Sequence, residues 1–147
     1  QVLVKWPNDL WVRERKVGGI LIENQLRGHH LSSSIVGIGI NVNQQRFQSP
    51  LATSLAVEAG HEFQLQEVLE AVAESLEGEY LRLRAGSAEL KSRYLANMYR
   101  MGESHKFIAD GESFKGTIRD VDDAGRLCMD TENGPRAFSF QQVKFIF

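Results

Sequence analysis

The sequence predicts an α/β (α+β) protein in which a mixed sheet with helices is followed by a small β-barrel. Three observations predict it. Apolar, β-branched runs separated by turn residues fill residues 2–42. One long helical period occupies residues 65–84. After Gly102 the period shortens, and Asp110-Gly111, Asp123-Ala124-Gly125 and Asn133-Gly134 are hairpin-type turn signals. The boundary falls near residue 100, so the parts are 1–100 and 101–147.

Val2 to Lys5 is a short apolar run of the kind strands use. The chain opens with Gln1 and moves directly into that run. A strand without a lead-in leaves backbone groups unsatisfied. The chain is therefore expected to be a piece of a longer protein whose upstream part completes the sheet. Pro7-Asn8-Asp9 breaks the run, each residue being a turn former. Leu10–Val12 and Lys16–Glu23 flank a charged tip at 13–15, which predicts a hairpin over 10–23. Gln25–His30 reads as a polar turn. Ser33–Val42 is apolar at most positions, as expected of a strand buried on both faces.

Leu65, Val68, Leu69, Val72, Leu76, Tyr80 and Leu83 fall on one helical face. Arg82 and Arg84 suit the negative end of that helix's dipole, and Gly86 is a natural stop. Ser87 is placed to cap a second helix with Leu90, Tyr94, Leu95 and Met98 on its apolar face, ended by Gly102. Beyond it, Lys106–Ala109, Glu112–Val121, Arg126–Asp130, Arg136–Phe140 and Val143–Phe147 read as the strands of the barrel.

Composition narrows the function. A hydrophobic share of 42% in 147 residues supports a packed core and argues against disorder. A net charge of -2 gives no reason to expect broad nucleic-acid binding. Cys128 is the single cysteine, so no internal disulfide can form, and a reducing, cytoplasmic setting fits. Its place in a tail strand predicts a small core residue. No apolar run approaches the ~20 residues a membrane span needs, and no signal peptide is visible.

Three segments could carry chemistry. Asp9 lies where a strand end turns sharply and could orient a cation, although Asn8 and Asp9 also serve as turn caps. Gly18 and Gly19 sit inside a strand, where glycine weakens pairing unless a ligand or another backbone approaches closely. Lys16, just before them, could present a positive charge to such a ligand. The alternative is a solvated hairpin lysine and a bulge at the glycines. In Gly37-Ile38-Gly39-Ile40-Asn41 the two glycines and Asn41 would share a strand face. The Asn41 amide can donate and accept together, which suits an adenine edge, or it can satisfy local backbone. His29 and His30 are adjacent, which is poor metal geometry in a strand, and no metal-ligand spacing stands out.

Taken together, KWPNDL at 5–10, KVGGILIE at 16–23 and GIGINVN at 37–43 resemble the biotin–protein ligase family. The ATS at 52–54 and the helix that follows fit that family's pattern. GTIRDVDDAGRL at 116–127 is similar to its SH3-like C-terminal domain. The resemblance implies a two-step reaction: biotin and ATP give biotinyl-5′-AMP, and a lysine on the acceptor domain of a biotin-dependent carboxylase then takes the biotin. It implies catalytic roles for Lys16 and Asp9, a biotin site lined by Lys16, Gly18 and Gly19, and adenylate contacts from Asn41, Asn8 and Lys5. Magnesium is expected with the nucleotide, without a ligand set in this chain. The family's arginine- and glycine-rich loop over biotin and phosphate lies upstream of KWPND and is not in the sequence, so this chain alone is expected to be inactive. Residues 44–53 hold Phe47 but no tryptophan, so an aromatic cover for adenine is not matched. An upstream DNA-binding domain, which would make a repressor, cannot be read from these residues, and a homodimer is left open. Two other readings stand beside this one: a lipoate-type protein ligase, and a non-catalytic binding or regulatory module.

Overall fold

A computed structural model describes residues 1–86 and 89–147. The chain divides into two compact units, Gln1–Leu3 with Asn8–Leu90 and Val4–Pro7 with Lys91–Phe147. The elements are β1 (Val2–Lys5), β2 (Asp9–Val12), β3 (Arg15–Arg27), β4 (His30–Ile40), α1 (Leu55–Ala59), α2 (Leu65–Arg84), α3 (Glu89–Ala96), β5 (Ser104–Ala109), β6 (Glu112–Val121), β7 (Leu127–Thr131), β8 (Gly134–Phe138) and β9 (Lys144–Phe145). No helix among the described residues is long and apolar enough to cross a membrane.

One sheet has four strands in the order β1-β2-β3-β4. The ladders of β2 with β3 and of β3 with β4 are antiparallel. Parallel pairs among the described residues include isolated bridges such as Lys16↔Ala52, and where a mixed sheet was expected the β2–β3 and β3–β4 ladders are antiparallel. The hairpin expected over 10–23 forms, with Arg13 at φ 54° in its tip. The polar turn expected over 25–30 is shorter. The β3–β4 ladder runs to Arg27↔His30, because polar side chains there bond across the strands, Ser33 to Gln25 and Ser34 to Asn24.

Strand β4 corrects the expectation of burial on both faces. Ile35 is 69% exposed, because β4 lies at the edge of the four-stranded order and α2 covers part of one face. That cover is an open groove of about 610 Å³ lined by Ile20, Ile38 and Ile40 from the sheet and Val68, Val72 and Leu76 from α2. The helix matches its predicted span, yet none of its residues is fully buried. The shorter α1 directly follows the ATS at 52–54 and was noted only through the family resemblance, not from its period. Ser54 caps it by accepting from the Val57 N–H (3.2 Å), and Gly60 at φ 79° closes it.

Ser87 lies outside the described residues. The second helix ends at Ala96, before Met98 and Gly102. Two features stop it there. The Asn97 amide donates to the Arg93 carbonyl (2.8 Å), and residues 97–99 pair with Val4 through Val4 N–H to Asn97 O (2.8 Å) and Tyr99 N–H to Val4 O (2.9 Å).

The second unit carries a five-stranded sheet ordered β8-β7-β6-β5-β9. Among the described residues no ladder joins β8 to β9, so the predicted barrel is an open sheet. Asp110 and Gly111 both adopt positive φ, as a two-residue hairpin turn of the I′ kind requires. Phe107, Ile118, Leu127, Met129 and Phe138 fill the core, with Trp6 buried among them and its Nε1 donating to the Gly125 carbonyl (3.0 Å). Burying each large apolar side chain stabilises the unit by about 1.5–3 kcal/mol. Cys128 is only half-buried. Strand alternation gives the inward positions of β7 to Leu127 and Met129 and turns Cys128 away from them. At the β6–β7 turn, the Arg126 backbone N–H first, and its guanidinium after it, hold the Asp122 carboxyl below the usual carboxylate range. That contribution to stability is present above the unfolded carboxylate pKa and is lost as pH falls through the lowered folded value.

The two glycines at the β3–β4 crossing separate cleanly. A Cβ at Gly18 would run into the Gly39 carbonyl, which is backbone and cannot move aside cheaply, whereas a Cβ at Gly37 would meet Leu21 O at 3.7 Å, an ordinary contact. Gly18→Ala is therefore expected to destabilise by about 1–3 kcal/mol in a denaturant melt, and Gly37→Ala to be neutral or slightly stabilising. Equal midpoints for the two variants would contradict this packing.

Candidate functional site

The site begins with a register shift. Asp9 pairs with Gly19 and Leu10 with Gly18, but the next β2 residue, Trp11, pairs with Lys16. Val17 is thus an extra residue in β3, a β-bulge. Residues two apart on a strand share a face, so Lys16 and Gly19, three apart, would ordinarily point to opposite sides. The bulge turns Lys16 over. Its Cε lies 3.7 Å, and Asp9 Oδ1 3.6 Å, from where a Cβ at Gly19 would stand. Lys16 Nζ and Asp9 Oδ1 are 2.5 Å apart, with the lysine side chain 45% exposed and the aspartate 22%. Val17 is buried, which anchors the bulge in the core of this unit.

The backbone of Lys16 is gripped from its other side as well. Its N–H donates to Leu51 O (2.7 Å), and its carbonyl accepts from the Thr53 N–H (2.8 Å). Asn41 lies just past the end of β4, one residue beyond the strand face on which it was expected. Its N–H donates to Val17 O (2.8 Å), and its side-chain amide donates to Thr53 O (3.0 Å). One end of that amide is therefore engaged locally, while Oδ1 has no protein donor among the described residues. The Asn8 carbonyl accepts from the Ile20 N–H (2.8 Å), holding the Pro7-Asn8-Asp9 turn against β3. Lys5 belongs to the other unit, where its Nζ lies 4.6 Å from the centre of the Phe145 ring.

The structure thus brings together Lys16, Asp9, Gly19 and Asn8 around one strand crossing, with Asn41 joined to them through Thr53. Gly18 serves the close approach of a neighbouring backbone. Sequence reasoning missed Arg15 and Glu58, and it noted Thr53 and Ser54 only within the ATS at 52–54, without a role. Thr53 and Ser54 are completely buried. Glu58, with a side chain 9% exposed, accepts from Arg15 Nη2 (2.6 Å) and Thr53 Oγ1 (2.7 Å). Beyond that ATS, the signal for Glu58 is the [ST]-x-x-[DE]-like run of Ser54 and Glu58 around an apolar stretch, one residue out of step with a capping box. Chemically, an ammonium fixed by a carboxylate and still open to solvent can oppose anionic groups. No group of three or more His, Cys, Asp or Glu among the described residues could hold a metal ion.

Residues 1–41 match the Biotin/lipoate A/B protein ligase family, and residues 106–146 match the Biotin protein ligase C terminal domain. The bifunctional ligase/repressor BirA of Bacillus subtilis is 31% identical over 91% of this chain and 43% of its own length. The biotin–[acetyl-CoA-carboxylase] ligase of Mycobacterium tuberculosis is 30% identical over 86% of this chain and 47% of its own. The chain therefore spans somewhat under half the length of these relatives. Among solved structures, the biotin protein ligase of Aquifex aeolicus in its apo form superposes with a TM-score of 0.77 at 28% identity, covering 99% of this chain and 65% of that one. The same enzyme in complex with biotin and ATP superposes with a TM-score of 0.75.

The exposure of the Lys16–Asp9 pair limits what it contributes to folding. Exposed pairs contribute about 0–1 kcal/mol. Asp9→Ala is expected to shift the unfolding free energy by no more than about 1 kcal/mol, read by urea denaturation. A larger loss would make Asp9 a folding residue first.

Proposed function

This chain belongs to the biotin protein ligase family, and on that premise we propose that the protein it is part of activates biotin with ATP and transfers it to a carboxylase. In the first step a biotin carboxylate oxygen attacks the α-phosphorus of ATP. Biotinyl-5′-AMP forms and pyrophosphate leaves. In the second step a lysine amine on the carboxylase's biotin acceptor domain attacks the biotinyl carbonyl. An amide forms, the amine loses a proton, and AMP leaves.

The single observation that carries this reading is the Lys16–Asp9 pair, turned by the Val17 bulge onto the face of Gly19. The first step must bring a carboxylate and a phosphate together, and a fixed ammonium between them offsets their repulsion as charge shifts in the transition state. Lys16 supplies that ammonium and touches both groups. Asp9 holds it. Gly19 leaves the space beside it for biotin, and Gly18, where a Cβ would meet the Gly39 carbonyl, is assigned to the biotin site through its backbone alone. Asn41 meets the adenine edge through Oδ1, the end of the amide not used by Thr53. Asn8 is assigned to the adenylate side of the site, and Lys5, which belongs to the other unit, is given no place in it. Magnesium accompanies the nucleotide in this reading, but the described residues offer it no ligand set, so no step here runs through it.

In the same reading residues 1–100 are part of the catalytic domain and 101–147 the C-terminal domain, and the setting is cytoplasmic. The match of residues 106–146 favours biotin over lipoate. The experiment is biotin-dependent ATP–pyrophosphate exchange by the intact parent protein, with lipoate as competitor. Exchange with biotin is expected, and its absence from a folded parent would overturn the reading. Lys16→Ala should slow the exchange on the order of 10²-fold or more; an unchanged rate would remove Lys16 from its role.

A further inference from the structure

We infer that Thr53, anchored by Glu58 and Arg15, is a positioning residue that couples the placement of Lys16 to that of Asn41. The inference rests on the ligase reading for what Lys16 and Asn41 do, but the coupling itself is geometric. Thr53 touches both residues with different atoms. Its N–H donates to the Lys16 carbonyl (2.8 Å), and its own carbonyl accepts from the Asn41 side chain (3.0 Å). Its hydroxyl donates to Glu58 Oε1 (2.7 Å), and the same oxygen takes Arg15 Nη2 at 2.6 Å. Arg15 is the residue before Lys16, so the circuit closes on itself: Arg15, Glu58, Thr53 and back to Lys16.

The arrangement resists loosening. Thr53 is wholly buried, so its hydroxyl cannot exchange Glu58 for water without opening the unit. Glu58 Oε2 is buried without a hydrogen bond among the described residues, and only the Arg13 guanidinium, 3.6 Å away, faces it. Keeping a half-satisfied carboxylate inside is unfavourable in itself. What it achieves is the fixing of residues 51–54 against β3. Those residues also hold α1 through the Ser54 cap, with Leu55 N–H to Asn41 O (2.9 Å) and Ala56 N–H to Val42 O (2.9 Å) completing the tie. A slack Thr53 would move Asn41 and Lys16 together, although the hydroxyl touches neither.

The test uses the intact parent protein and three single variants. Thr53→Val keeps the shape and drops the hydroxyl; Thr53→Ser keeps the hydroxyl; Glu58→Gln keeps an acceptor for Thr53 and drops the charge facing Arg15. Two readouts are taken: the ATP and biotin dependence of adenylation, and amide hydrogen exchange by segment. Thr53→Val should raise the KM for ATP about tenfold, the change one hydrogen bond of ordinary strength supports, and lower kcat with it. It should speed exchange at 14–17 and 51–56 and leave β6 and β7 as protected as before. Thr53→Ser should recover most of the loss, Glu58→Gln should show the same pattern more weakly, and Thr53→Val should cost less when added to Asn41→Ala than alone. Unchanged exchange at 14–17 and 51–56, equal losses for Val and Ser, or full additivity with Asn41→Ala would each overturn the coupling. If the wild-type parent forms no biotinyl adenylate, the ligase reading fails, and the exchange pattern of Thr53→Val and Glu58→Gln decides the coupling alone.

Discussion

One extra residue in a ladder decides where the charge of the candidate site points. Without Val17 between Leu10↔Gly18 and Trp11↔Lys16, strand periodicity would send Lys16 to the face opposite Asp9 and Gly19. With it, an ammonium stands on the glycine face, tied to a carboxylate from the neighbouring strand. The bulge holds because Val17 is buried and because its carbonyl is taken by the Asn41 N–H. The core of the first unit and the aim of its lysine are therefore one feature.

The surrounding elements follow from that constraint. Gly18 permits the Gly39 carbonyl to press close, which sets the β3–β4 register. Gly19, one residue on, leaves its space open beside the ion pair. Residues 51–53 grip the far side of the bulged strand, and α1 with its Ser54 cap steadies them. The second unit draws on different physics. Its aromatic and aliphatic core, including Trp6, is built from alternating strand positions and short hairpins.

Much of this was legible in the sequence, where the determinant is local. The helix over 65–84 announces itself by period and by its terminal arginines. The tail hairpins announce themselves by Asp-Gly and Asn-Gly turns, because those residues accept positive φ. What depends on distant partners was hidden. A bulge at the glycines was one of two readings, but its place at Val17 cannot be seen without the register of β2 on β3. Thr53 and Glu58 look like ordinary polar residues until the fold buries them together. Met98 fits a helical face, yet pairing of residues 97–99 with Val4 takes it out of the helix. Apolar content suggested that β4 was covered on both faces, but composition does not reveal whether a covering layer is present. Cys128 fell to a parity that only the placement of Leu127 and Met129 fixes. For the candidate site, the three motifs point to Lys16, Asp9, Gly19 and Asn41 from the sequence alone, whereas the means of holding them has no sequence signature.

In the proposed reaction the Val17 bulge aims Lys16 at the meeting point of two anions. The most direct measurement is a crystal structure of the parent protein bound to a non-hydrolysable analogue of biotinyl-5′-AMP. The bulge should be intact, with Lys16 Nζ within hydrogen-bonding reach of the group standing for the α-phosphate, on the face of Gly19. A structure with the phosphate neutralised by another cation, and Lys16 turned to the opposite face or out to solvent, would contradict it.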